Sequence, residues 1–302
     1  MTSQNKIWTG IGLAILATLI WSGNFIVAKS TAQKIPPVSL NFFRWLCASL
    51  IIAPFAFKKF VMEKKAIRSS FAYLLFTSIF GISLFNTFVY IAGHYSQAIN
   101  LALIGTTSSP IMSILLARIF LKEIITPLRI TGMVICITGI LLLLSKGEID
   151  TLLHFRFTAG DWWTLAAAFS FAVYNILARR KPVNISPVNF LFITFLLGTI
   201  LLILPSLIEL QMFQPVKWDL TLILVILYLG AGASVISFFC WNSAISHLGA
   251  ARTSLFGNLI PVFSAIEAVL LLNEKINIIH VISGMLVITG LVLANLTLFR
   301  KS

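Results

Sequence analysis

Ten long apolar runs, almost free of charge, leave this chain one kind of fold. They cover Ile7 to Ala28, Val38 to Phe57, Phe71 to Ala92, Ala98 to Phe120 and Leu128 to Ser145, then Gly160 to Ala178, Pro187 to Leu207, Leu220 to Ala244, Ala250 to Leu272 and Ile278 to Phe299. A helix needs about 20 apolar residues to cross ~30 Å of hydrocarbon, and each run supplies roughly that length. At 59% hydrophobic and 10% charged residues, the chain also departs from soluble domains, which lie nearer ~45–50% and ~25%. The sequence therefore predicts an all-α integral membrane protein with ten transmembrane helices. The first run contains Trp21 and has no small-residue cleavage site after a polar break, so it reads as a retained helix.

The runs fall into two copies of five. Ala98 to Glu123, with Pro110 and Glu123, recurs as Gly249 to Glu274, with Pro261 and Glu274, at an offset of 151 residues in a chain of 302. Asn24 and Asn175, Gly81 and Gly232, Tyr90 and Trp241, and Thr138-Gly139 and Thr289-Gly290 keep the same offset. Pro37-Val38 matches Pro187-Val188 at 150, and Gly132-Met133 matches Gly284-Met285 at 152. A period this long means two homologous halves, residues 7–145 and 160–299, rather than a solenoid.

Net charge sets the orientation. The total of +13 would suggest a nucleic-acid partner in a soluble protein, but here it is one-sided. With a cytoplasmic N-terminus, the inner connections hold fifteen Lys and Arg against Glu63 and Glu123, while the outer ones hold six cations and six acids. The positive-inside rule then puts both termini in the cytoplasm of a multi-pass cell-membrane protein, with lipid and not nucleic acid as its surroundings. Five helices per half invert the second half relative to the first. Inverted halves are a transporter architecture, because exchanging their conformations opens a central site to the other side.

Several residues are candidates to line such a path. Asn86, Tyr90 and His94 share one helical face, and the repeat sets Ser237 and Trp241 opposite Asn86 and Tyr90. Rings with adjacent polar groups suit an amphipathic or aromatic solute; helix packing accounts for the same residues equally well. Trp21, Asn24, Tyr174 and Asn175 are placed at the cavity wall, with hydrogen bonding between helices as the alternative for the two asparagines. Arg44 and Glu267 lie within hydrocarbon, which marks them as functional candidates. Their depths suggest that they pair or face one polar pocket. Pro110 and Pro261 each remove a backbone hydrogen bond in mid-helix and suit hinges. Glu123 and Glu274, at helix ends, are expected to pair with neighbouring cations such as Lys122 or Lys275.

Trp21-Ser22-Gly23-Asn24-Phe25 with Lys29, Arg44, Pro110 with Leu121-Lys122-Glu123, and Pro261 with Glu274 together resemble the drug/metabolite transporter superfamily in its ten-helix EamA-type branch. That resemblance covers nearly the whole chain. It implies a transporter of small metabolites, most often an exporter of amino acids, aromatic ones included, or of related compounds. Other branches leave open an uptake or exchange carrier for a nucleotide-like or adenosyl metabolite, such as a nucleotide sugar or S-adenosylmethionine. Phosphate-bearing substrates call for several cations, and only Arg44 is deep, so a neutral or weakly charged substrate is favoured. An enzyme is not expected: His94, His154, His247 and His280 are scattered, and neither HExxH nor a Gly-rich phosphate loop occurs. Cys47, Cys136 and Cys240 are spaced for neither a metal nor a disulfide framework, so no metal or cofactor is expected. The protein is read as a monomer or weak homodimer.

Overall fold

The computed structural model describes residues 3–31, 34–95, 98–148, 150, 153–154, 157–272 and 278–296. Regular structure among the described residues is entirely helical: α1 (Ser3–Thr31), α2 (Pro37–Met62), α3 (Phe71–Tyr95), α4 (Ala98–Phe120) and α5 (Pro127–Leu144). They are followed by α6 (Ala159–Arg179), α7 (Pro187–Met212), α8 (Leu220–Leu248), α9 (250–272) and α10 (Ile278–Asn295). A short helix, Lys64–Ser69, joins α2 to α3. Among the described residues, seven stretches are long and apolar enough to cross a membrane, in α1, α2, α3, α5, α7, α8 and α10; Ile104–Phe120 in α4 is a shorter apolar stretch.

Local chemistry explains where the helices begin. Proline opens α2, α5 and α7, where its missing N–H is no loss. Thr126 caps α5 by accepting from the Arg129 amide, and Asp219 caps α8 by accepting from the Leu222 amide at 2.7 Å. Thr158 and Asp161 form a capping box on α6.

Carboxylates from the opposite half complete other caps. Glu209, near the end of α7, accepts from the amides of Val38 and Ser39 at 3.2 and 2.8 Å. Reciprocally, Glu63 after α2 accepts from the Ser186 amide at 3.0 Å and from Asn189 Nδ2 at 2.7 Å at the start of α7. Glu123 accepts from the Ala250 amide at the start of α9, beside Gly249, whose φ of +89° admits no ordinary side chain. Lys122 is not the ion-pair partner of Glu123; Arg129 and Arg252 are the cations within its electrostatic reach. A carboxylate placed against free amides at a helix N-terminus outcompetes an exposed, solvated lysine. Glu274 and Lys275 lie outside the described residues.

Burial pushes the Glu63 carboxyl up, but bonds from Asn189 and Ser186 and the nearby Lys59 outweigh it and hold the group below the usual glutamate range. A carboxyl depressed on folding adds stability above its unfolded pKa and loses it as pH falls through the folded value. The Glu63 contribution is therefore complete above about pH 4.3 and fades in more acid solution. Glu63→Gln is expected to flatten that part of a pH series of thermal unfolding in detergent; an unchanged acid slope would contradict the cap.

Equivalent helices of the two halves cross each other. α2 and α7 run antiparallel, with Ser49 Oγ and Thr199 Oγ1, related by the repeat, in contact at 3.3 Å. α5 and α10 are also antiparallel: Gly132 faces Gly290 while Gly139 faces Ser283. The first helix of each half packs into the other half, α1 against α8 and α9, and α6 against α3 and α4.

The third helix of each half carries a π-helical turn, Ile79–Leu84 in α3 and Tyr228–Ile236 in α8. Widened turns of this kind gather at functional sites because their carbonyls become reachable by other side chains. Asn41 of α2 donates through Nδ2 to the Ile82 and Ser83 carbonyls at 3.3 and 3.2 Å. In α8 the Ala233 carbonyl accepts from both Trp21 Nε1 and Arg44 Nη2, at 2.8 and 3.0 Å.

The two prolines differ in their effect. α4 stays α-helical through Pro110, whereas α9 changes to a 3-10 turn at Phe256–Asn258 just before Pro261. Pro261 lacks the N–H that the Gly257 carbonyl would receive in a regular helix, which is where the ladder breaks.

A cavity between the two halves

A cavity lies where α1, α2, α3, α4, α6, α8 and α9 converge. Four aromatic rings line its wall, those of Trp21, Phe85, Phe171 and Trp241. The Trp21 ring lies 5.0 Å from Trp241 and 5.7 Å from Phe171, and Phe171 stacks on Phe85 at 4.5 Å. Such clusters shape a hydrophobic slot with polarisable faces.

Arg44 supplies the polar floor. It is 1% exposed, yet no carboxylate lies within 4 Å of it among the described residues. Its charge is solvated by dipoles instead: Nε donates to Ser234 Oγ at 2.7 Å, Nη1 to Asn86 Oδ1 at 2.8 Å and to Tyr90 Oη at 3.0 Å, and Nη2 to the Ala233 carbonyl. A guanidinium has five N–H groups, so one remains free. Asn86 Nδ2 and Asn24 Oδ1 are buried without a partner, an unused donor and an unused acceptor on the same cavity. Unpaired buried polar atoms are costly, and a cavity wall is where a ligand can satisfy them.

The expected pairing of Arg44 with Glu267 does not occur. Ser234, Asn86, Tyr90 and Ala233 take up the guanidinium, and Glu267 accepts instead from Ser22 Oγ at 2.5 Å on the seam of α1 and α9. Trp21, Asn24, Asn86 and Trp241 line the cavity, as does Pro110. Tyr90 is buried outside the lining, where its hydroxyl accepts from Arg44 Nη1. Tyr174 and Asn175 point elsewhere. The Tyr174 ring fills the space left by Gly81, where a Cβ would come within 2.1 Å, and its hydroxyl accepts from Asn242. Asn175 joins Ser113 to Trp241, donating at 3.1 Å and accepting at 2.8 Å, so it links helices and does not line the cavity. Ser237 bonds back to the Gly232 carbonyl at 3.0 Å within its own helix.

Other lining residues were not singled out from sequence. Thr106 and Ser109 of α4 correspond at offset 151 to Gly257 and Ile260 of α9, and all four face the cavity. The duplicated stretch is thus cavity wall in both copies. On α6, Thr164, Ala167, Ala168 and Phe171 form one stripe at i, i+3, i+4 and i+7. That small-residue stripe before an aromatic was legible in principle.

An apolar multi-helix chain built of crossed repeats around a central cavity is a multi-pass cell-membrane protein of the transporter class. A profile for the EamA-like transporter family matches residues 8–145 and 158–296, and the chain belongs to that family. It is 27% identical over 93% of its length to an uncharacterised transporter of Archaeoglobus fulgidus, covering 95% of that protein. It is 26% identical to a "probable amino-acid metabolite efflux pump" of Escherichia coli, over 92% of each chain. A solved crystal structure superposes over 100% of both chains with a TM-score of 0.77 at 19% identity, a likeness of fold.

Proposed function

We propose that the chain exports amino acids or closely related metabolites by alternating access, through ten transmembrane helices arranged as two inverted halves, residues 7–145 and 160–299, with both termini in the cytoplasm. The carrying observation is the polar triad on an aromatic cavity: the spare N–H of Arg44, Asn86 Nδ2 and Asn24 Oδ1. The first two present donors to a carboxylate, and the third presents an acceptor to an ammonium group. Trp21, Phe171 and Trp241 then face the side chain. Arg44 is the one charged residue lining the cavity among the described residues, which disfavours polyphosphate cargo. The efflux-pump relative adds support for the substrate class.

Counterflow in liposomes, with purified protein and a panel of amino acids, nucleotide sugars and adenosyl compounds, tests this directly. Exchange of amino acids is expected; exchange confined to nucleotide-like compounds, or none at all, sinks the proposal. Asn24→Leu gives a sharper result. Its carbonyl oxygen has no partner to lose, so thermal stability should hold. The missing bond to an ammonium group, about 1.5–3 kcal/mol, should raise the half-saturation concentration roughly 10- to 150-fold.

A further inference from the structure

Glu267 sits on the same stripe of α9 as the cavity residue Ile260, seven residues on, or about 10 Å at ~1.5 Å per residue. It lies towards the outer end of α9 in the orientation proposed above. The carboxylate is half-buried, and no cation lies within 4 Å of it among the described residues. Its partner is Ser22 Oγ at 2.5 Å, and Ser264 Oγ donates to the Ser22 carbonyl at 3.0 Å, one helical turn before Glu267. Ser22 is flanked on α1 by the lining residues Trp21 and Asn24. The carboxylate is therefore clamped to the helix that carries two walls of the cavity.

We infer that Glu267 is a proton-binding site at the outer edge of the cavity, and that its protonation couples proton entry to substrate export; the coupling rests on the transport function proposed above. An isolated carboxylate within the membrane is expensive in its charged form and marks a proton relay when no cation compensates it. A proton from the outer water adds to the carboxylate, giving a neutral carboxylic acid, and leaves to the cytoplasm once the site has turned inward. In the charged state Ser22 Oγ gives its single hydrogen to Glu267; in the acid state the carboxyl donates to Ser22 Oγ, whose hydrogen turns to the Leu19 carbonyl, so the bond at the α1–α9 seam reverses with each proton.

The charged and titratable groups around Glu267 come from α8, α10, α4 and α1. From α8, the phenol of Tyr228 lies within electrostatic reach of both Glu267 and Arg44 and donates to the Ile20 carbonyl. On α10, Gly284 faces Val262, which brings His280 to about the level of Glu267. α4 has its basic group, Arg118, in its last turn, remote from this level. On α1, Ser22 is the polar contact, and the Lys29 side chain lies outside the described residues.

Two measurements on the full-length protein in liposomes decide the matter. Infrared titration should show a carboxylic C=O band that appears on acidification in the wild type and is missing in Glu267→Gln; an identical band in both overturns the assignment. Radiolabelled phenylalanine should be driven against its gradient by an imposed pH gradient. Glu267→Gln should keep equal-pH counterflow within about twofold while losing at least tenfold of the gradient-driven accumulation, and Glu267→Asp should restore part of it. Gradient-driven accumulation undiminished in Glu267→Gln overturns the coupling, as does wild-type counterflow with no response to pH. His280→Gln should leave both the infrared band and the gradient-driven accumulation in place; loss of the accumulation with the band retained would move the coupling site to the histidine and overturn the assignment. If no compound exchanges in the wild type, the transport reading fails, and the infrared titration still decides the proton site.

Discussion

Arg44→Met is expected to cut amino-acid exchange by about 100-fold, while Arg44→Lys is expected to damage the fold more than Arg44→Met does. The guanidinium holds α2 to α3 through Asn86 and Tyr90, and to α8 through Ser234 and Ala233. With no carboxylate beside it, its burial is offset by these four bonds and by the face of the Trp45 ring, and a planar fork can reach all of the acceptors at once. Lysine keeps the buried charge but reaches only one or two of the acceptors, so the desolvation cost remains while the compensation shrinks. Two lost bonds to a charged group cost roughly 3–6 kcal/mol. Methionine removes the charge and its desolvation cost together, and its stem still packs along Trp45, over whose ring the guanidinium sits at 5.0 Å. Transport responds differently, because the substrate carboxylate loses its cation in Met and retains one in Lys. Thermal unfolding should rank wild type above Met above Lys, whereas exchange should be poorest in Met. A single common ranking in both assays would refute dipole solvation as the state of this charge.

Much of the architecture was legible because membranes simplify it. Run length pointed to an all-helical membrane protein, the 151-residue offset to a repeat, and charge asymmetry to a reversal; in the structure α2 crosses α7, and α5 crosses α10, antiparallel. The site was harder to read, since lining a cavity depends on helix rotation and local geometry that apolar runs do not encode. Asn24 and Asn175 look equivalent in sequence, yet one faces the cavity with a spare oxygen and the other bridges Ser113 and Trp241. The two intramembrane charges have similar depth but opposite surroundings, because the π-helical turn of α8 brings Ser234 and Ala233 to Arg44. Nothing in residue spacing announces such a turn. Glu123 misled for a related reason: it has a lysine next to it in sequence, but the folded chain brings it to the Ala250 amide.

The α5–α10 crossing carries the other large effect, and it separates sequence symmetry from structural need. A Cβ added at Gly132 would lie 2.4 Å from the Gly290 carbonyl oxygen and 2.6 Å from the Ala294 amide nitrogen. One added at Gly290 would lie 2.5 Å from the Gly132 oxygen and 2.7 Å from the Cys136 nitrogen. These are backbone atoms, so no rotamer change can relieve them and the helices must part. In a bilayer, helix association depends on close van der Waals contact through small residues. Overpacking of a tight core costs about 1–3 kcal/mol or more, whereas alanine's gain over glycine in helix propensity is at most about 1 kcal/mol. Gly132→Ala and Gly290→Ala should therefore each lower the unfolding temperature in detergent. Their double variant should cost less than the sum, because one separation relieves both clashes. Gly284, which the 152-residue offset pairs with Gly132, has only Val262 at 3.9 Å from an added Cβ. Gly284→Ala should be neutral or slightly stabilising, and a loss comparable to Gly132→Ala would show that the repeat, and not the backbone crossing, fixes which glycines are required.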